Sequence, residues 1–514
     1  MLGLRTWNKS GNCMNLNMTT LPHQKTLSVI LFLIVVIFLF LRFVSLNADF
    51  PLGITWSGVL FTDEGWYANA ALRHYISGEW YLSGDWNPAI PMPLGQVLHR
   101  FTFSIFGIGL SSVRITTVVL FNVLVVATAL LVRRHFGIFA ALLTALLLVT
   151  NYVVFAFSRL AVMELIGTSF VVCGLLAAGG YRNNGARLPN LLLASVLIAA
   201  GALTKSTMVF AVPLLGYLAW RQGRSNQESL IFLFSSIILV LSLIGVYQIV
   251  ARTLFPEDTA FFAQLNLYSQ MHHSFVDWLF YIPRLIYKIK ILGIDLIALT
   301  VLSTAIALII SDRYRRNILI HILIGYIAFY LALLSIKPYS PPRYHLPLIV
   351  PFAALCAMSC LELREWLFKS RLRSFSIVPI LSLIIVFGVS LHGSGKIASY
   401  LSAPRYSFYQ MAQEVGGIIK KREGIVSKVV LLGKMADSVS LEIATLPINP
   451  SWGKDTLDLK LKKYRPQYLI GHRDKVVLEA VKSNGGHVAE LASWDVYSNY
   501  YGGKRVQLMH VSWN

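Results

Sequence analysis

"IFAALLTALLLVTNYVVFAFSRLAVMELIGTSFVVCGLLAA", residues 138–178, is apolar along nearly its whole length and is interrupted by Arg159 and Glu164. A helix needs about 20 apolar residues to cross a bilayer, so the run reads as two helices with a charged turn between them at one membrane face. Residues 189–220 repeat the pattern around Lys205 in "LTKST". Further apolar runs lie at about 27–46, 112–132, 229–251, 291–311, 318–336, 345–361 and 374–391. With 138–156, 160–179, 189–204 and 206–220 they predict a polytopic α-helical membrane protein with about eleven transmembrane helices.

The composition agrees. Of 514 residues, 56% are hydrophobic and 13% charged, outside the range of ordinary soluble domains. The net charge of +21 does not point to nucleic acid, because no basic run accompanies a soluble nucleic-acid module and most Lys and Arg fall between apolar runs. The basic loops "RRHFG" (133–137), "YRNNGARLPN" (181–190), "RQGRSNQES" (221–229), "SDRYRRN" (311–317) and "ELREWLFKSRLRS" (362–374) all share a side with the N-terminal tail carrying Arg5, Lys9 and Lys25. By the positive-inside rule that side is cytoplasmic, as for a multi-pass protein of the plasma (inner) membrane. The first run lacks a following small-x-small cleavage pattern and reads as a retained signal anchor. Cys13, Cys173, Cys356 and Cys360 are scattered and suggest neither disulfides nor a thiolate metal site.

The expected organisation is a cytoplasmic tail (1–26), a transmembrane part (27–391) and a soluble extracytoplasmic α/β domain (392–514). An odd number of spans places the 47–111 loop, the 252–290 loop, "KPYSPPRYH" (337–345), the C-terminal part and the breaks at Arg159 and Lys205 on the outside. Residues 63–107, with Trp66, Tyr67, Tyr75, Trp80, Tyr81 and Trp86, and the stretch 275–290 have the aromatic and basic pattern of helices lying among headgroups. After residue 392, "KVVLLG" (428–433), "PQYLIG" (466–471), "HVAELA" (487–492) and "VQLMHVSW" (506–513) read as strands alternating with helices at 405–421 and 473–483.

The unusual charges gather at that outer face. In "FTDEGWYANAALRHYISGEW" (61–80), Thr62 is a candidate N-cap, and acids in a first helical turn are favoured by the dipole. Successive helical residues point about 100° apart, so Asp63, which shares a face with Tyr67 and Ala70, is the better catalytic candidate and Glu64 a supporting or acceptor contact. Arg159 and Glu164 form either a structural ion pair or part of a wet site. Lys205 either snorkels or binds. Lys337, Arg343 and His345 run against the positive-inside trend and suggest an anionic ligand. Carboxylates beside cations suit transfer from a lipid-linked phosphate: cations hold the departing phosphate, and a carboxylate takes the acceptor's proton or binds a metal that does.

At these residues the chain resembles the GT-C membrane glycosyltransferases related to protein O-mannosyltransferases and the lipid A aminoarabinose transferase. "DEGWYANAALRHYISGEW" resembles their first outer-loop motif, and "PMPLGQVLHRFTFSIFGIGLSSVRITTVVL" their Pro-Pro-Leu helix, Phe-Gly turn and Arg-led second span. "SRLAVMEL" resembles their Arg-x4-acid element, "GALTKST" their Leu-Thr-Lys-Gly-Pro, and "RYHLPLIVPFAAL" their Arg-Tyr-x-Leu-Pro span. Three positions differ: "AIPMPL" lacks the preceding Lys, Ser206-Thr207 replace Gly-Pro, and Glu164 replaces the commoner Asp.

The resemblance implies an inverting sugar transfer from a polyprenyl-phosphate donor to a lipid, glycan or protein acceptor. Asp63 and Glu164 would be the catalytic acids and the candidate contacts of a possible divalent metal ion. Glu64, Tyr67, Arg159, Lys205, Arg343, Tyr344 and His345 would surround the substrate. The rival expectation from another class is a transporter or flippase for a lipid-linked anion, with Arg159, Glu164 and Lys205 along its path. Unusual charges at one face and the lack of repeated halves favour transfer.

Overall fold

The computed structural model describes residues 22–51, 54, 60–85, 87–179, 187–223, 225–258, 275–336, 341–369, 377–450, 457–496 and 505–514. Arg5, Lys9, Cys13, Trp86, Lys337 and, from the loops expected on the inner side, residues 181–186 and 370–374 lie outside them. The chain is mostly helical, and each apolar run lies in helix: α1 (Pro22–Leu41), α4 (Leu110–Thr150), α5 (Tyr152–Phe157), α6 (Met163–Ala178), α7 (Arg187–Thr204), α8 (Val212–Gln222), α9 (Asn226–Leu254), α11 (Ile294–Ile310), α13 (Ile318–Ser335), α14 (Ile349–Lys369) and α15 (Ile377–Ser402). Shorter pieces are α10 (Phe275–Ile289) and α12 (Asp312–Arg315).

Four helical stretches among the described residues are long and apolar enough to cross a bilayer, and a fifth crossing is α10 and α11 if that pair, bent by 107°, counts as one. Shorter apolar helices cover Lys25–Leu41, Met163–Ala178 and Leu188–Thr204. The chain is therefore an integral membrane protein. The run expected at 112–132 and most of that expected at 138–156 lie in α4, two helical segments that part at Gly137, whose φ of 84° and ψ of 176° are non-helical and cost a residue without Cβ least; the second run ends in α5. The inner loop expected at 133–137 lies at this break.

α2 (Leu60–Ser77) and α3 (Pro93–Phe106) form the layer above the bundle. α3 exposes Val97, Phe101, Ile105 and Phe106 along one side, the stripe an interfacial helix presents to lipid. α2 corrects the sequence reading. Asp63, Glu64, Tyr67, Asn69 and Arg73 are all buried, because α2 is covered by the C-terminal part of the chain. It also begins at Leu60, so Thr62 stands inside its first turn and not at the N-cap.

That covering segment contains α16 (Ser407–Glu423), β1 (Val430–Leu432), α17 (Ala436–Ile443), β2 (Leu446–Ile448), α18 (Leu457–Tyr464), β3 (Tyr468–Gly471), α19 (Lys475–Ser483), β4 (Gly486–Asp495) and β5 (Arg505–Trp513). The sheet runs β2-β1-β3-β5-β4, parallel in its first three strands and antiparallel in the rest. Side chains alternate across it. Leu431, Tyr468, Ile470, Val506 and Leu508 join Ala68, Ala71, Leu72 and Phe103 of α2 and α3 in one core. Leu432, Leu469, Met509 and Val511 face α18 and α19 in another. The first core therefore fuses the sheet to the helices above the bundle.

Helix caps are exchanged across this contact. The Asp49 carboxylate accepts the Ser407 and Phe408 amides at 2.9 and 3.1 Å, capping α16 from the end of the first apolar run. The Glu442 carboxylate of α17 accepts the Leu110 amide at 2.9 Å, capping α4. Between these caps, Asn69 of α2 donates to Asp437, Asn449 donates to the same carboxylate at 3.2 Å, and Asp85 holds both Arg73 (2.8 Å) and Lys460 (3.1 Å).

Burial, reinforced by the charge of Asp85 and opposed by Arg73, pushes the Asp437 carboxyl up to about 7. A carboxyl raised on folding stabilises through its neutral form, fully below its ordinary value and progressively less as pH rises through about 7. The thermal midpoint of the detergent-solubilised chain should therefore fall more steeply with rising pH between about pH 4 and pH 7 than that of Asp437→Asn, and the two slopes should converge above about pH 7. Equal slopes in the two chains over the lower range would contradict this account.

Candidate active site

Four buried side chains from four separate segments meet beneath α2. Asp63 Oδ2 lies 2.5 Å from Arg343 NH1, Arg343 Nε lies 3.5 Å from Glu164 Oε1, and Lys205 Nζ lies 3.2 Å from the same Glu164 oxygen. Lys205 also reaches the Tyr67 hydroxyl at 3.4 Å and lies over the Tyr344 ring at 4.7 Å. The Arg343 guanidinium packs at 5.4 Å from the same ring.

Local sequence explains how each arrives. Glu164 occupies the first turn of α6, where the dipole favours an acid. Lys205 follows the last residue of α7 in extended geometry (φ −150°), so its chain leaves the helix axis just as a short 3₁₀ turn begins. α6 and α7 approach closely through glycines: a Cβ on Gly167 would stand 2.8 Å from Met208 Cγ, and one on Gly201 3.1 Å from the Gly167 carbonyl. That approach brings Glu164 to Lys205. Arg343 and Tyr344 lie on the 3₁₀ turn Pro342–Leu348 leading into α14, anchored where the Tyr330 hydroxyl donates to the Tyr344 carbonyl at 2.6 Å.

Three other expected residues are elsewhere. Glu64 is locked by Arg114 through two bonds of 2.8 and 2.7 Å and accepts the Ala161 amide at 2.9 Å, so its carboxylate is fully engaged away from the cluster. Arg159 is separated from Glu164 by the break after α5. It donates to the Val44 and Ser45 carbonyls at 2.5 and 2.6 Å and lies against the Phe155 and Tyr400 rings. Arg42, which the sequence reading did not single out, plays the matching part. It donates to Phe38 and Val149 carbonyls and lies over Phe121. Both arginines satisfy the open carbonyls where helices end. His345 is fully buried, and no described contact joins it to the carboxylates.

Burial pushes the Asp63 carboxyl up to about 6, with Arg343 pulling against the shift and Glu164 adding to it. It is thus a base poised close to neutrality. The Arg343 guanidinium occupies the space between the two carboxylates, and among the described residues no cluster of three or more His, Cys, Asp or Glu forms.

Beside the cluster lies a cavity of about 1080 Å³ whose wall includes Pro342, the neighbour of Arg343, with Lys288, Lys290, His392 and Lys396. A second cavity of about 600 Å³ shares Lys396 and Tyr152 with it and adds Arg405. Much of the remaining wall is apolar, including Leu147, Ile291, Leu296 and Val389. These cations were missed in the sequence because Lys288 and Lys290 read as headgroup contacts, and Lys396 lies beyond the last apolar run.

Arg114→Met would leave the Glu64 carboxylate buried with its cation gone, destabilising the chain by about 3–5 kcal/mol. A drop in the thermal midpoint checks it, with recovery when Glu64→Gln is added. An unchanged midpoint would mean that Glu64 does not depend on this partner.

Comparison with known proteins adds the following. The family model for dolichyl-phosphate-mannose-protein mannosyltransferase matches residues 88–247. No curated protein matches the chain by sequence. Among solved structures, ArnT from Cupriavidus metallidurans bound to undecaprenyl phosphate is similar with TM-score 0.63 and 14% identity, over 94% of this chain and 98% of that one. The Archaeoglobus fulgidus oligosaccharyltransferase AglB, in complex with an inhibitory peptide and a dolichol-phosphate, is similar with TM-score 0.51 and 11% identity, over 91% and 73%. The helical bundle, the α/β segment covering it and the family match agree: this chain has the fold of the GT-C membrane glycosyltransferases.

Proposed function

We propose that the chain transfers one sugar, with inversion, from a polyprenyl-phosphate donor to a lipid, glycan or protein acceptor at the outer face of the membrane. The observation that carries this reading is the buried chain of contacts Asp63, Arg343, Glu164 and Lys205. It supplies a base near neutrality and two cations in one buried cluster, and Pro342, next to Arg343, lines a cavity that is apolar along much of its wall and basic at points. What the solved relatives hold, undecaprenyl phosphate in one and a dolichol-phosphate in another, is the donor chemistry such a cavity suits. The eleven-span topology expected from the sequence, with the C-terminal segment outside, would bring this face to the acceptor.

The step is a single displacement. The acceptor hydroxyl oxygen attacks the anomeric carbon, the bond from that carbon to the phosphate oxygen breaks, and its electron pair leaves on the phosphate. Arg343 and Lys205 receive the growing negative charge there. Asp63 takes the hydroxyl proton, and Glu164 keeps both cations aligned. Attack opposite the leaving group inverts the anomeric centre.

Asp63→Asn should lower transfer by about 10²- to 10⁴-fold while the donor still binds. In the native chain turnover should fall as pH drops through about 6, as Asp63 takes up its proton. Assays with labelled polyprenyl-phosphate sugars check both, and undiminished turnover in Asp63→Asn would remove the base from the scheme.

A further inference from the structure

In open α/β sheets, ligands bind beyond the carboxyl ends of the parallel strands, where the strand order reverses. In the order β2-β1-β3 that reversal lies between β1 and β3, and the segment that concerns the site is the neighbouring pair, the carboxyl ends of β1 and β2. The turn after β1 enters α17, whose first turn carries Asp437, and the residue after β2 is Asn449; both are buried. α2 packs against both α17 and β2. Asn69 donates to one Asp437 oxygen, and Asn449 donates to the other at 3.2 Å. The backbones come closer still: a Cβ on Gly65 would stand 2.3 Å from Ser438 N and 2.4 Å from the Asp437 carbonyl carbon.

Gly65 is two residues after Asp63. At about 100° per residue, positions 63, 64 and 65 point in three directions, and each meets a different element. Asp63 reaches Arg343, Glu64 is locked to Arg114 of α4, and Gly65 lies against α17. The first turn of α2 is thus held from three sides, and one of the three belongs to the C-terminal segment. We propose that Asp437 is a positioning residue for Asp63: the α/β segment grips α2 beyond the carboxyl ends of β1 and β2, and so aims the Asp63 carboxylate.

The proposal rests on the reading of Asp63 as the base. Displacements of about 1 Å at a reacting group cost up to about a hundredfold in rate. In the full-length chain, kcat and KM for a polyprenyl-phosphate sugar are measured for the native protein, Asp437→Ala, Asp437→Asn, Asp63→Asn and the Asp63→Asn/Asp437→Ala pair, each with its thermal midpoint. Asp437→Ala should lower kcat by about tenfold or more with the donor KM nearly unchanged. Asp437→Asn, which keeps an acceptor oxygen for Asn69, should recover most of that loss. In the Asp63→Asn background, Asp437→Ala should add no further loss. Native turnover in Asp437→Ala, or an equal loss with and without Asp63, would overturn the proposal and leave the contact as packing. Full turnover in Asp63→Asn alone would instead refute the base. If Asp437→Ala does not fold, Gly65→Ala, reaching the same contact from α2, is judged by the same criteria.

Discussion

The guanidinium of Arg343, placed between the carboxylates of Asp63 and Glu164, is the interaction on which the convergence of α2 with the helical bundle depends. Carboxylates and cations this deeply buried are tolerated only when paired, because desolvating a lone charge costs several kcal/mol. Pairing four charges from positions 63, 164, 205 and 343 forces α2, α6, the end of α7 and the 3₁₀ turn before α14 to converge. Each of those places interrupts a regular helix or lies at its end. The helices supply rigidity, and the chemistry sits where the backbone leaves them.

The outer ends of the helices show the same economy of charge. Arg42 and Arg159 turn to backbone carbonyls and aromatic faces. Their positive charge compensates the negative ends of helix dipoles. Cations at this face therefore divide into two kinds, those spent on ending helices and those held by carboxylates. Arg343 and Lys205 are of the second kind, and so available to a phosphate that competes for them.

Much of this was legible in the sequence. The apolar runs marked the helices, and Asp63, Glu164, Lys205 and Arg343 stood out because each breaks an apolar or positive-inside pattern. Other features depended on partners far along the chain. Glu64 looks like its neighbour Asp63 until Arg114, fifty positions on, claims it; an arginine just inside the second apolar run was the available signal. Arg159 stood as either an ion-pair partner of Glu164 or part of a wet site, because the sequence marks the turn between them but not the directions in which it points the two side chains. In the C-terminal segment, the four longer strand signals correspond to β1, β3, β4 and β5, but β2 is three residues with Pro447 at its centre, and α17 is eight residues. Both were too short for periodicity to find. The burial of α2 was hidden for a related reason: its aromatic, amphipathic pattern suits a lipid surface and a protein surface equally.

The reciprocal caps at Asp49 and Glu442 carry an evolutionary implication. Each closes a helix begun by the other part of the chain, across 358 and 332 positions respectively. A graft of the C-terminal segment onto a relative's bundle would carry Glu442 with it but leave the Ser407 and Phe408 amides bare unless that bundle supplied an acid in the place of Asp49. Divergence at this face is thereby bound to compensating pairs of changes at opposite ends of the gene product, and the segment is not a freely exchangeable cassette.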